Sequence, residues 1–284
     1  MIGKYKLHSA SFLFLVLISF TVVAQHSNSR GSNSNMHDTA LNRALGIHKD
    51  TTMSHKILLI PFEPKMLMSE IDKDINAKTH QSYAAITADF REELDLAMFG
   101  VLRRSCETVD ILTGRQRSDS MLAYIYGSTS FSYDIVPGTA PDEGSKDKNK
   151  TGKYINNGQL EVPVDYSQRF MNVTVLNANL LSELSSKYGT DTYVFINQLD
   201  IKNVENNSTN LSDETYRREV TVHYSIIDNT GHYVSKGVAT TFFPYSVNDP
   251  KEIGDKYFTV VARTILTNYI HGLIADRNKL QKKK

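Results

Sequence analysis

Lys56-Ile57-Leu58-Leu59-Ile60-Pro61-Phe62 is the stretch that decides the fold class of this chain. Four consecutive apolar residues that end at a proline are typical of a short strand covered on both faces. Such strands lie in the middle of parallel or mixed sheets and have helices packed on their faces. The stretch therefore predicts a central strand in an α/β domain.

Two long amphipathic patterns supply helices for this sheet. Between residues 83 and 101, apolar side chains recur at three- and four-residue steps, and acidic residues such as Glu93 and Asp95 fill the face that we assign to solvent. A second pattern covers about residues 250–279, with Asp249 as its expected N-cap. Both helices are expected to pack on the sheet.

A β-hairpin is the clearest local signal in the chain. Residues 218–227 and 232–243 are rich in β-forming side chains and flank the turn Asp228-Asn229-Thr230-Gly231. If Ile227 lies opposite His232, small side chains share one face with the buried residues of the first strand, so that the last helix can approach closely. These small residues are Ser235, Gly237 and Ala239.

The fold class that follows is α/β. We predict a mixed β-sheet with a carboxyl-terminal hairpin, packed by a long helix from the amino-terminal half and a long carboxyl-terminal helix. A further helix over residues 173–188, ended by Gly189, leads into a strand at residues 193–201. Proline, glycine and charged residues interrupt the pattern between about 128 and 168, which predicts a polar insertion.

The amino-terminal segment is typical of a secretory signal peptide. Lys4 and Lys6 precede an apolar run from Phe12 to Ile18, and small residues precede Gln25, so cleavage is expected after Ala24. The run is shorter than the roughly 20 residues of a membrane-spanning helix, so no transmembrane anchor is expected. The prediction is a periplasmic or secreted protein.

The rest of the chain divides by composition. Residues 25–53 are polar, which predicts a flexible leader. We expect residues 54–280 to form a single α/β domain and residues 281–284 to form a basic tail. A single cysteine, Cys106, excludes an intrachain disulfide and suits a bacterial envelope. With 32 basic and 31 acidic residues, the chain is not typical of a nucleic-acid-binding protein.

Three stretches resemble one group of bacterial envelope proteins. The strand Lys56 to Phe62 is similar to the opening strand, ending in Pro-Phe, of the amino-terminal domain of the Tol-Pal translocation protein and of the curli-secretion lipoprotein group. Residues 88–103 look like the helix that follows it, and residues 184–196 and 227–231 resemble that group's helix-to-strand entry and hairpin turn. The resemblance implies a binding or assembly domain in the envelope. Membrane attachment is not implied, because no lipidated cysteine follows the leading segment.

Catalytic and metal-binding signatures are weak. His223 and His232 share the hairpin, but a third ligand is missing, so we expect solvent-facing histidines and no metal site. Neither a Gly-x-Ser-x-Gly elbow nor a glycine-rich phosphate loop occurs, and no cofactor is predicted. Cys106 follows Arg103 and Arg104, which could lower the pKa of its thiol, but no histidine partner can be named.

Aromatic side chains at loop margins are the candidate partner contacts. They are Phe131, Tyr133, Phe242, Phe243 and Tyr245. The leading hypothesis is an exported, non-catalytic protein that binds an envelope protein or a cell-wall component or assists assembly. The alternatives are a secreted hydrolase whose site is not visible in motifs, and a structural subunit of an envelope oligomer. An exposed apolar patch near Phe243 and Tyr245 would favour binding, whereas a pocket of convergent titratable groups would favour the hydrolase.

Overall fold

The strands and helices confirm the predicted α/β class. The computed structural model describes residues 55–135, 154–156, 159–161, 169–204 and 217–282, so the predicted signal peptide, the leader and most of the predicted insertion lie outside the described residues. The strands are β1 (Lys56–Ile60), β2 (Leu67–Ser69), β3 (Glu107–Asp110), β4 (Thr129–Ile135), β5 (Tyr154–Asn156), β6 (Gln159–Glu161), β7 (Arg169–Val175), β8 (Thr192–Val204), β9 (Arg217–Asp228) and β10 (Tyr233–Pro244). The helices are α1 (Asp72–Thr79), α2 (Tyr83–Leu102), α3 (Asp119–Gly127), α4 (Leu180–Tyr188), α5 (Pro250–Ile253) and α6 (Thr259–Gln281), with a 3-10 turn at Pro64–Met66 and a π-helical turn at Gly254–Phe258.

The main sheet is mixed and has the order β10-β9-β8-β1-β3. β1 is parallel to both β3 and β8, with Leu58 aligned with Val109 on one side and Tyr193 on the other. This confirms the central position expected for the first apolar run. β8 is longer than β1, and β2 pairs with its second half, where Leu67 aligns with Leu199.

The two faces of the sheet are covered by different layers. Alternation along β1 directs Ile57 and Leu59 to the opposite face from Leu58 and Ile60. Leu58 and Ile60 belong to a buried cluster with residues of α3, α4 and β7. Helices α2 and α6 lie on the other face. The ring centroid of Phe90 in α2 lies 6.2 Å from that of Phe258, which is in the π-helical turn before α6.

The carboxyl-terminal hairpin has the predicted face but a different register. Ile227 lies opposite Tyr233 and not His232, and a bulge between Tyr233 and Ser235 then restores the small residues to the face of Tyr224. Gly237 lies directly opposite Tyr224, and α6 packs there, as predicted. A Cβ atom added to Gly272 of α6 would lie 2.1 Å from the Val234 carbonyl oxygen.

Helix and turn termini follow the local sequence signals. The Asp249 carboxylate accepts the backbone N–H of Lys251 at 3.0 Å, which confirms the predicted N-cap. Gly189 ends α4 with φ at 67°, and Gly231 forms the hairpin turn with φ at 85°. The predicted last helix is confirmed and runs from Pro250 to Gln281, with a π-helical turn at Gly254–Phe258 between α5 and α6.

Two predicted boundaries are wrong. Residues 129–135, assigned to the polar insertion, form β4, because Thr129-Ser130-Phe131-Ser132-Tyr133 alternates with the period of a strand. Residues 173–175, expected to begin the helix over 173–188, belong to β7, and the helix begins only at Leu180. β4 and β7 pair antiparallel as a two-stranded ribbon, with Ser132 opposite Asn172.

Across the described part of the chain, none of the helices combines the length and apolarity that crossing a membrane requires.

Candidate functional site

The five candidate aromatic residues do not form one patch. Phe131 and Tyr133 lie on β4, and Phe242 and Phe243 are adjacent on β10, so they point to opposite faces of the main sheet. Phe242 is 43% exposed, whereas Phe243 is 1% exposed and its ring centroid lies 5.3 Å from that of Tyr257. The expectation of an exposed contact at Phe243 is therefore wrong.

Phe243 and Tyr245 flank a buried arginine that the sequence pattern did not single out. Arg218 is 0% exposed, and its guanidinium carbon lies 4.3 Å from the ring centroid of Tyr245 and 5.9 Å from that of Phe243. One guanidinium nitrogen donates to the Val247 carbonyl at 2.9 Å, and the other binds the Asp74 carboxylate. Burial lowers the pKa of Arg218, although Asp74 opposes this change. Phe243 thus belongs to a packed structural cluster, whereas Tyr245 lies over Arg218 at its margin and is 45% exposed, as expected from the sequence.

One face of the main sheet remains partly uncovered beyond the β4–β7 ribbon. In the strand register, Met68, Asp200, Thr221 and Thr240 form one row across β2, β8, β9 and β10. Paired residues on neighbouring strands point to the same face, so the row forms a continuous surface. We call this row, together with Phe242 of β10 and Tyr133 of the β4–β7 ribbon, the open sheet surface. Its residues are Met68, Tyr133, Asp200, Thr221, Thr240 and Phe242.

Large side chains of the open sheet surface are exposed. Met68 is 56% exposed, Tyr133 49% and Phe242 43%. Phe242 lies two residues after Thr240 on β10 and therefore on the same face. Met68 is the neighbour of Asp200 in the register, and Tyr133 is linked to Asp200 through Gln198. Phe242 lies farther away on the same face, on the second strand from β8.

A hydrogen-bonded polar group lies beneath these exposed side chains. Gln198 donates to Asp200 at 2.5 Å, and the Tyr133 hydroxyl lies 3.3 Å from the Gln198 side-chain oxygen. His223 Nε2 lies 3.5 Å from Asp200 Oδ2. Burial alone would raise the pKa of Asp200, but the contacts from His223 and Gln198 outweigh it and lower the pKa below 3.8. Asp200 is therefore held as an anion at neutral pH.

His223 has a structural role, which corrects the expectation that it faces solvent. It is 4% exposed, because the β4–β7 ribbon covers it. The backbone N–H of Met171 donates to His223 Nδ1 at 2.9 Å, so this nitrogen carries no proton and the neutral ring holds its proton on Nε2. Nδ1 is occupied and Nε2 faces Asp200, so neither nitrogen is available to take a proton from a substrate.

Two further carboxylates, Asp95 of α2 and Asp110 at the end of β3, are also buried. Asp95 and Asp110 are 1% and 5% exposed, and the Thr113 hydroxyl lies 3.4 Å and 2.5 Å from their carboxylates. Burial, followed by the charge of Asp110, raises the pKa of Asp95 well above 3.8. Assignment of Asp95 to the solvated face of its helix is therefore wrong. Burial also keeps both carboxylates away from any substrate in solution.

Cys106 is also buried, at 5% exposure. Burial, with a smaller contribution from Asp191, raises the pKa of its thiol to about 11. This is opposite to the lowering that Arg103 and Arg104 could have produced. The thiolate, which is the reactive form, is therefore scarce at neutral pH.

The remaining polar features are shallow or superficial. A cleft of 440 Å³ lies between α2 and α5 and is lined mainly by charged side chains, among them Asp89, Glu92 and Lys251. His232 is exposed and pairs with Asp276 at 3.0 Å. Among the described residues, no three histidine, cysteine or carboxylate side chains are grouped for a metal ion.

The fold and the open sheet surface define a mixed α/β domain with one partly uncovered sheet face. Comparison with protein-family models and with curated proteins finds no match to this chain.

Proposed function

We propose that this chain is an exported, non-catalytic binding or assembly-accessory protein of the bacterial cell envelope, and that the open sheet surface is its partner site. The observation that carries the proposal is the exposure of three large side chains, Met68, Tyr133 and Phe242, on the side of the sheet where the buried Asp200 is held as an anion. The amino-terminal signal-peptide pattern supports the export part of the proposal.

The chemistry of the surface suits a protein partner. Aromatic rings and methionine are enriched in protein interfaces, because they bury much apolar area and lose little conformational entropy. Met68 adapts to different shapes through its flexible thioether. The hydrogen bonds of Asp200 to Gln198 and of Gln198 to Tyr133 hold the polar centre in place before a partner arrives. We therefore propose an envelope protein as the partner, with a cell-wall component as the competing outcome.

Co-purification from envelope fractions tests the partner site. The full chain with a carboxyl-terminal tag is compared with the double variant Met68→Ser, Phe242→Ser. The control is Leu176→Ser, Leu280→Ser, which changes two side chains that are 64% and 66% exposed on other elements. We expect a specific protein to accompany the wild type and the control, and at least about tenfold less of it to accompany the surface variant.

Two results would overturn this assignment. Equal recovery with the surface variant and the control would place the partner elsewhere, and recovery of glycan without protein would replace the protein partner by a cell-wall component. The export part has its own test, in which mass spectrometry of the exported chain is expected to show Gln25 as the first residue. Retention of residues 1–24 in the mature protein would contradict it.

A further inference from the structure

The β4–β7 ribbon has two edges, and the strand register identifies which backbone groups lie on each. The backbone N–H of Leu176 donates to the Ser128 carbonyl at 2.9 Å, which extends the register in which Thr129 lies opposite Val175. In an antiparallel pair, residues that exchange hydrogen bonds alternate with residues whose backbone groups point away. Even-numbered residues therefore bond across the ribbon, and odd-numbered residues of both strands direct their N–H and C=O groups outward.

The outer edge of β7 is occupied by side chains of the main sheet. The Met171 N–H donates to His223 Nδ1 at 2.9 Å, and the Asn197 amide donates to the Met171 carbonyl at 2.8 Å. Tyr233 donates to the Val173 carbonyl at 2.5 Å. Asn197 reaches this position because it is the extra residue at the bulge of β8 between Ile196 and Gln198. These contacts involve odd-numbered residues of β7, in agreement with the register.

The outer edge of β4 differs in this respect. Within the described part of the chain, Phe131 and Tyr133 have no backbone partner on that side, and the N–H of Ile135 is bound only by the neighbouring Asp134 carboxylate at 2.8 Å. Ser132 is exposed, and Tyr133 is 49% exposed. Proteins usually protect such edges with lysine, proline or a bulge, and residues 129–133 contain none of these.

We propose that a second copy of this chain pairs its β4 antiparallel with this edge, about a two-fold axis at Ser132. In this register Phe131 lies opposite Tyr133 of the other copy, so the outward backbone groups of both residues meet and exchange hydrogen bonds. Two aromatic cross-strand pairs then form on one face. The dimer would join two ribbons into one four-stranded sheet, β7-β4-β4-β7.

The charge pattern of β4 fits this symmetric pairing. Asp134 would lie opposite Ser130 of the other copy, so the two carboxylates do not oppose each other. Lys236 also neutralises Asp134 within each copy, with Nζ 2.8 Å from the carboxylate. The edge is therefore compatible with itself and needs no charged partner. This inference shares Tyr133 with the open sheet surface, but it rests on the edge of β4 and does not depend on a partner at that surface.

Sedimentation velocity and light scattering of the full chain, purified without a tag over a series of concentrations, test the proposal. We expect a dimer, and Ser132→Lys is expected to weaken self-association at least about tenfold, because like charges directly opposite on paired strands repel. Ser132→Glu is expected to act in the same way, and an equimolar mixture of the two variants is expected to restore a dimer. Ser186→Lys, on the exposed face of α4, is the matched control and should dimerise as the wild type does.

A covalent readout makes the register itself testable. The pair at the two-fold axis is a non-hydrogen-bonded pair, in which Cα atoms are about 4.5 Å apart and side chains are close. Ser132→Cys is therefore expected to form an intermolecular disulfide under mild oxidation, whereas Ser186→Cys is not. A wild-type monomer at every concentration, or a Ser132→Lys dimer as tight as the wild type, would overturn the proposal. Melting temperatures of all variants, monitored by circular dichroism, show that each is folded.

Discussion

Replacing Gly272 with alanine tests how closely α6 lies on the main sheet. The added Cβ would lie 2.1 Å from the Val234 carbonyl oxygen and 3.0 Å from its carbonyl carbon. The first distance is more than an ångström short of ordinary van der Waals contact, and a backbone carbonyl in a strand cannot rotate away. Helix α6 must therefore move outward or tilt. Gly100 of α2 is the matched control, because an added Cβ there meets nothing within 4 Å.

The expected magnitudes follow from two opposing effects. Alanine is favoured over glycine inside a helix by about 1 kcal/mol, and this gain applies at both positions. At Gly272 the forced displacement costs about 1–3 kcal/mol, as is typical when atoms are inserted into a packed core. We expect Gly100→Ala to raise the free energy of unfolding by about 1 kcal/mol, whereas Gly272→Ala changes it by between about zero and a loss of about 2 kcal/mol.

Urea unfolding and thermal unfolding, each followed by circular dichroism, compare the stability of both variants with that of the wild type. The two variants differ by the displacement cost of about 1–3 kcal/mol, and for a domain of this size 1 kcal/mol corresponds to about 2–4 °C, so their melting temperatures should differ by about 2–12 °C. The slope of the unfolding transition should not change, because both variants expose the same surface on unfolding. If Gly272→Ala proves as stable as Gly100→Ala, the close approach of α6 to β10 is refuted.

Three further predictions concern buried groups. The raised pKa of Asp95 means that the folded state binds a proton more readily than the unfolded state, so the contribution of Asp95 to the free energy of unfolding is largest below pH 3.8 and is lost as the pH rises through the raised pKa. Asp95→Asn is expected to remove this pH dependence. If urea unfolding of the wild type and of Asp95→Asn gives parallel curves of unfolding free energy against pH, the prediction is wrong. Arg218→Met is expected to lower the free energy of unfolding by about 3 kcal/mol, because it leaves the buried partners of the guanidinium unpaired. Arg217→Met, at the exposed neighbour, is expected to change it by about 0.5 kcal/mol or less. Equal urea midpoints for the two variants would count against the buried cluster. Cys106 is expected to react with Ellman's reagent only in denaturant, since burial raises its pKa to about 11, and rapid labelling of the native protein would be inconsistent with this.

Features that depend on adjacent residues were predictable from the sequence. The apolar run in β1, the N-cap at Asp249 and the glycine after α4 are each decided within one or two turns of chain, and the structure confirms them. The face of the carboxyl-terminal hairpin was also predictable, because its small residues alternate with period two. Its register was not, since a bulge after Tyr233 shifts the pairing without a distinct composition.

Features that depend on distant segments were not predictable. His223 is buried because β7, about 50 positions earlier in the chain, lies over it, and nothing near His223 indicates this contact. Asp95 lies between apolar side chains in a helix pattern that assigns it to solvent, but Asp110 and Thr113 meet it from β3 and the turn that follows. The open sheet surface joins residues of four strands and the ribbon, so only the tertiary structure brings Met68 and Phe242 onto one face.

The position of β8 has a consequence for the order in which the chain can fold. β8 is bordered by β9 along one side and by β1 and then β2 along the other, so Leu58 acquires its neighbour Tyr193 only after most of the chain has been made. Closing a loop of this length is entropically costly and slows folding. A chain that emerges from a ribosome, amino terminus first, therefore has β1 long before it has β8, the strand that joins β1 to β9. The main sheet can be completed only in a late step, after β8 has been made.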